Sequence, residues 1–224
     1  LFGRNLDYPT LGFLHEYSLV TVYRPTGKRA FASVGVPGFV GCLSGMNDAG
    51  LAIAVLEVYT SADNSATFNP KGTPYAMCYR RVLEECATVE EAEKLLRSME
   101  RTTRNNLAIC DRKGGAVFEI TPKTLKVRRS ADGLCPCTNH FRTKELAVDT
   151  DCARFVALEK CKALEQIGVA DLMKLMNSAN QGNNTFQTMI FEPKPLKLHL
   201  SIGRLPSSAY EPKLLELEPL FQKK

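Results

Sequence analysis

No Cys-x-x-Cys pair occurs among the eight cysteines, and the closest two, Cys135 and Cys137, are one residue apart. That spacing matches neither common zinc sites nor thioredoxin-type motifs, so no metal, no cofactor and no thiol-redox role is expected. No apolar run reaches the roughly 18 residues of a membrane helix, so no membrane span is expected. A Gly-x-Gly-x-x-Gly or lysine-bearing phosphate loop is also missing. Gly35, Gly38, Gly41 and Gly45 recur without a helix behind them and read as places where strands bend or approach closely. Basic residues outnumber acidic ones by 29 to 24, yet they form no stripe. Arg80-Arg81 and the run Lys126 to Arg129 read as solvated faces, which argues against a nucleic-acid partner. Internal repeats, low-complexity tracts and Ser/Gly-rich linkers are absent too, which leaves one domain over 1–224 as the expectation.

What is present is an ordinary globular composition, 44% hydrophobic and 24% charged over 224 residues, enough to bury one sizeable core. β-rich runs at 19–23, 29–34, 39–43 and 51–59, divided by Pro-Gly and Asn-Asp-Ala-Gly breaks, predict successive antiparallel strands. A polar loop at 60–74 is a candidate rim of a binding site. Helical spacing follows at 74–85, and Thr88-Val89-Glu90-Glu91 is a capping box for a helix through Met99. Strands at 106–110, 116–121 and 124–127, with a hairpin turn at Lys113-Gly114-Gly115, predict a second sheet. Helices at 151–166 and 169–176 and strands at 185–191, 196–202 and 214–220 complete an α+β pattern of two packed sheets with segregated helices.

The densest chemistry lies at the start, where Gly3-Arg4-Asn5-Leu6-Asp7 puts a cation, an amide and a carboxylate within four positions of an apolar strand. By itself this reads either as an edge strand with a local ion pair or as part of a site. The segment Leu1 to Asp7 resembles the one that follows the catalytic cysteine in N-terminal-nucleophile hydrolases of the choloylglycine hydrolase, penicillin V acylase, acid ceramidase and penicillin acyltransferase-like group. The likeness continues in order through Gly45-Met46-Asn47-Asp48-Ala49-Gly50, the Thr-Asn pair in Cys137-Thr138-Asn139-His140, and Asp151-Cys152-Ala153-Arg154-Phe155. Glu57 stands where bile-salt hydrolases carry Asn, which is similar to the ceramidase side of the group.

The resemblance implies a four-layer αββα sandwich of two antiparallel sheets flanked by helices. It further implies hydrolysis of a non-peptide amide in a small-molecule N-acyl substrate, through a thioester on an N-terminal Cys whose α-amine is the general base. Acyl transfer through the same thioester, or a non-catalytic ligand-binding relative, are the alternatives. The implied catalytic residues are Arg4 beside the thiolate, Asp7 for the α-ammonium, Asn139 as oxyanion donor, Arg154 completing the charge network, and Glu57 as a partner of the substrate amide or the amine. Residues three apart on a regular strand face opposite ways, so Arg4 and Asp7 need a bulge or turn between them to share a site.

In the family the nucleophilic Cys precedes the Arg of this motif by about sixteen residues, whereas only three residues precede Arg4. The expectation is a chain truncated at its N-terminus by about sixteen or more residues, inactive as it stands. Cys42 reads as core, as do Cys78, Cys86, Cys152 and Cys161 in helical text. Tyr59 and Phe39 read as core rather than as an acyl pocket, His140 as a motif cap or pocket residue, and His15 and His199 as lacking partners. Asn183-Asn184-Thr185 is a glycosylation sequon. Unpaired thiols favour a reducing, cytoplasmic interior, and a homo-oligomer is compatible with the composition.

Overall fold

Alternating side chains decide which layer each strand serves. A computed structural model describes residues 1–130 and 132–222. Strand β1 (Phe2–Asp7) is followed by β2 (Leu19–Tyr23), β3 (Phe31–Gly35), β4 (Ser44–Asn47) and β5 (Ala52–Glu57). Helices α1 (Tyr75–Glu85) and α2 (Val89–Arg97) precede β6 (Asn105–Cys110), β7 (Gly115–Ile120) and β8 (Leu125–Arg129). Then come α3 (Ala153–Glu159), α4 (Val169–Ser178), β9 (Thr185–Glu192), β10 (Lys197–Ile202), β11 (Lys213–Glu216) and α5 (Glu218–Phe221).

Strands β2 to β8 form one seven-stranded antiparallel sheet in chain order, and β1, β9, β10 and β11 form a four-stranded one. The strands β6 to β8 are therefore not a second sheet, as their separation in the text suggests. Glu57 pairs with Asn105 and Ala52 with Cys110, so β6 extends the first sheet after the helical excursion. On β3 and β5, Phe31, Ile53 and Val55 face the helix side with Val82, Leu83 and Leu96. Ala32, Val34 and Ala52 face the other sheet, where Met189, Phe191, Leu198 and Leu200 fill the space above them. Small residues on one sheet and large ones on the other interdigitate at the inter-sheet distance of about 10 Å. With α1 and α2 on the outer face of the larger sheet and α4 against β1 and β9, the layers run helix, sheet, sheet, helix.

Other departures are local. The stretch 39–43 is not a strand: Gly38 takes a positive φ of 84° and Gly41 packs against Ala76, so extended pairing begins only at Ser44. The helix expected over 151–166 ends at Glu159 and passes into a 3-10 turn at Lys160–Ala163. In 214–220, Pro219 sits at the start of a short helix, and the strand stops at Glu216.

The turn between β4 and β5 locks the layers together. Asn47 accepts from the N–H groups of Ala49 and Leu51 at 3.1 and 3.0 Å and donates to Leu83 O and Cys86 O at 2.9 and 2.7 Å. Gly50 has a φ of +83°, and a Cβ there would press on the Pro193 carbonyl in the β9–β10 turn of the other sheet. Replacing Gly50 by Ala is expected to lower unfolding free energy by about 2 kcal/mol in urea titration, through strain plus steric conflict. Gly114→Ala, with open space around it, should change it by less than about 0.5 kcal/mol.

Candidate active site

Strand β1 carries two functional faces. Gly3 faces α4, since a Cβ there would meet Leu172 Cγ at 3.0 Å, and Asn5 Nδ2 donates to Met176 O at 2.7 Å. Phe2 and Leu6 pack into the inter-sheet core, which puts Arg4 on that same inward face. Arg4 is only 6% exposed, and its Nε finds no hydrogen-bond partner among the described residues. Burial lowers its pKa to about 10, while Asp7 and the Cys137 thiol act in the opposite sense. At neutral pH it is still a cation, held in a place where its charge is weakly screened.

Asp7, at the end of β1, lines the same groove as Arg4, and there the β1–β9 register slips, leaving Phe186 of β9 as an extra residue. Its Oδ1 accepts from Thr185 Oγ1, and its Oδ2 accepts from Gln181 Nε2 at 2.9 Å and faces Arg154 Nη1 at 3.8 Å. Arg154 Nη2 donates to Asn139 Oδ1 at 3.1 Å. Asn139 Nδ2 in turn donates to the main-chain oxygen of Glu57 at 3.0 Å, which leaves one of its two N–H bonds for another acceptor. Arg4, Asp7 and Arg154 line one groove of about 590 Å³ with Cys137 and Thr138, and Arg154 ties Asn139 to its edge. Of the five residues singled out in the sequence, Arg4, Asp7 and Arg154 line the groove, Asn139 borders it through Arg154, and Glu57 is linked only by its main-chain oxygen.

Several contributors were not foreseen. Asn106, fully buried on β6, donates from Nδ2 to Thr138 O at 2.8 Å and His140 O at 3.0 Å, clamping the backbone on both sides of Asn139. Glu119, also fully buried, accepts from the N–H groups of Arg142 and Thr143, both at 2.9 Å, and from Arg128 Nε at 3.4 Å. Arg128 Nη2 holds Pro136 O at 2.7 Å, which sets the Cys135-Pro136-Cys137 segment against the groove. A polar Asn or Glu inside an otherwise apolar strand was the available signal for both buried anchors. His199 does have a partner, Glu192 Oε1 at 2.7 Å across the β9–β10 hairpin. Tyr59 and Phe39 are not core; they are 73% and 38% exposed.

Comparisons with known proteins bear on the family and the fold. The family model described as acyl-coenzyme A:6-aminopenicillanic acid acyl-transferase matches residues 1–204. A Caenorhabditis elegans N-acylethanolamine-hydrolyzing acid amidase ortholog superposes with a TM-score of 0.67 at 17% identity, covering 85% of this chain and 86% of that one. A variant of conjugated bile acid hydrolase from Clostridium perfringens gives 0.65 at 15%, covering 97% and 88%. Penicillin V acylase from Agrobacterium tumefaciens gives 0.62 at 14%, covering 95% and 80%. At these identities the likeness is one of fold, that of the N-terminal-nucleophile hydrolases. An uncharacterized protein of Archaeoglobus fulgidus is 27% identical over 132 residues, 57% of this chain and 21% of that protein, so the match spans about a fifth of that curated relative.

One thiol near the network differs from the rest. Burial alone would raise the pKa of Cys152, at the start of α3, but the Phe155 N–H, the Thr138 hydroxyl and Arg154 favour the thiolate and bring it below the ordinary value. Burial pushes the other seven thiols up, Cys42 and Cys137 to about 12. Iodoacetamide at pH 7 is therefore expected to alkylate Cys152 first among the eight, as read by peptide mass spectrometry. Faster labelling of Cys42 or Cys137 would contradict the assignment.

Proposed function

Because the chain belongs to the acyl-coenzyme A:6-aminopenicillanic acid acyl-transferase family, we propose that the complete protein cleaves a non-peptide amide of a small N-acyl substrate through a thioester. The nucleophile in this reading is a Cys that precedes Leu1 in the complete protein. The supporting observation is the run of contacts from Asp7 through Arg154 to Asn139 beside the buried Arg4. β1 pairs with β9 along one side and is the edge of its sheet, and an added strand on its other side would set a thiol against Arg4.

The geometry supports the following roles. A free α-amine has a pKa of about 7.7–8.0 and takes the thiol proton near neutrality. Arg4, nearly desolvated, favours the resulting thiolate over the thiol. Asp7, already fixed by Thr185 and Gln181, accepts from the new ammonium and sets its direction. As sulfur bonds to the carbonyl carbon, the oxygen gains negative charge. The free N–H of Asn139 donates to it, a contribution of about 3–4 kcal/mol where comparable donors have been removed. The ammonium returns its proton to the departing amine, and water then hydrolyses the thioester. Arg154 acts through its neighbours, holding the Asn139 amide with its N–H outward and balancing the Asp7 charge. Transfer of the acyl group to an amine instead of water shares every step up to the thioester, and the family's description favours keeping it as the second reading.

Residues 1–224 alone are expected to turn over no fatty-acyl amide, whereas the protein extended to its upstream Cys should do so and lose a leading segment by mass. In that protein, Asp7→Asn should lower kcat at least a hundredfold with an unchanged fold by circular dichroism. Turnover within threefold of the parent would contradict the role given to Asp7, and a residue other than Cys at the exposed N-terminus would overturn the mechanism.

A further inference from the structure

The opening motif holds an amide that none of the steps above uses. Asn5 stands on β1 between Arg4 and the Asp7 end and, with Gly3, faces α4 rather than the inter-sheet core. Its Nδ2 is committed to Met176 O at 2.7 Å, and its Oδ1 accepts from Thr188 Oγ1 at 2.9 Å. Thr188 is its direct cross-strand partner on β9. A hydroxyl carries one proton, and that of Thr188 goes to Asn5. In the 2.8 Å contact between Thr188 Oγ1 and Ser207 Oγ, Ser207 must therefore be the donor. Ser207 O in turn accepts from Ser201 Oγ at 2.6 Å, and the next residue, Ser208, donates to Asn177 Oδ1 at 3.0 Å. The contacts close a ring: the last turn of α4 is held at Met176 by β1 and at Asn177 by Ser208, with Ser207 and Thr188 completing the path back to Asn5. Thr188 and Ser207 are fully buried, and Ser201 and Ser208 nearly so.

Buried polar groups cost stability unless they are paired, and hydroxyls that each donate and accept strengthen one another in a single geometry. What the ring fixes is β1. This strand pairs with β9 alone among the described residues, and a slip of one residue would carry Arg4 to the α4 face and Asn5 into the inter-sheet space. The bond from Thr188 to Asn5 belongs to the register in which these two residues lie opposite each other and Arg4 lies opposite Met189 of the core. We propose that Asn5, held by Thr188, is a positioning residue that pins β1 in register and so keeps Arg4 and Asp7 at the groove. It acts through its neighbours on the strand. The proposal rests on the amidase reading for what Arg4 and Asp7 do there, but the ring itself does not.

The test uses the complete protein with Asn5→Leu, with Thr188→Val, which keeps the shape and removes the hydroxyl, and with Thr188→Ser, which keeps the hydroxyl. Asn5→Leu and Thr188→Val are expected to lower kcat for a fatty-acyl amide at least about tenfold, with KM within about threefold. Both should also slow alkylation of the N-terminal Cys by iodoacetamide at pH 7 at least about fivefold, because Arg4 is no longer held against the sulfur. Thr188→Ser should stay within about threefold of the parent on every count. Should Asn5→Leu fail to fold by circular dichroism, Thr188→Val decides alone. An equal loss in Thr188→Val and Thr188→Ser would mean that packing matters rather than the hydrogen bond, and the proposal would fall. Parent-like kcat and alkylation in a folded but less stable Thr188→Val protein would overturn it too, since the ring would then serve stability only. If the parent turns over no amide, the amidase reading fails by itself, and the alkylation rates still decide whether Asn5 places Arg4.

Discussion

Arg154 is the side chain through which the two sheets meet at the groove. Its Nη1 faces Asp7 on the four-stranded sheet, and its Nη2 holds Asn139, whose amide is fastened to Glu57 of the seven-stranded sheet. A planar guanidinium with separate donors can serve two acceptors in fixed directions, which an ammonium on a flexible stem does less well. Without that bridge, Asp7 keeps its contacts to Thr185 and Gln181. Asn139, by contrast, loses the partner that fixes which way its amide points.

The surroundings of that bridge are built for rigidity. Asn106 grips the main chain on either side of Asn139, and Glu119 and Arg128 immobilise the segments before and after it. Hydrogen-bonded groups of this kind, buried on strands, position a site more accurately than loop residues can. Arg4 adds a charge where water is scarce, so its field on a nearby sulfur is weakly screened. The result is a polarised groove with a buried cation at Arg4.

Much of this was legible in the text, for identifiable reasons. Period-two runs and turn residues marked most strands, and Thr88 with Glu91 marked a helix start that the structure keeps, with the Glu91 N–H donating to Thr88 Oγ1 at 3.2 Å. The register slip at Leu6/Asp7 falls on β9, where Phe186 is the extra residue, and not on β1 between Arg4 and Asp7 as strand geometry suggested. The meeting of Asp7 with Asn139 and Arg154 was another matter, since Asp7 lies more than a hundred positions from both and no local pattern links them; only family-like motifs pointed to it. Sheet membership was misread because chain order does not reveal that β6 pairs back onto β5 across two helices. Asn106 was passed over because a buried amide declares itself only through the carbonyls it serves.

The coupling between Arg154 and Asn139 is the point at which this account is most exposed. A double-mutant cycle on kcat/KM in the complete protein, using Arg154→Leu and Asn139→Ala, measures it directly. The account predicts strong non-additivity, at least about 1 kcal/mol, because loss of Arg154 already disorients the Asn139 amide. Effects that add to within about 0.5 kcal/mol would mean that the two residues act independently, and the bridging role would be wrong.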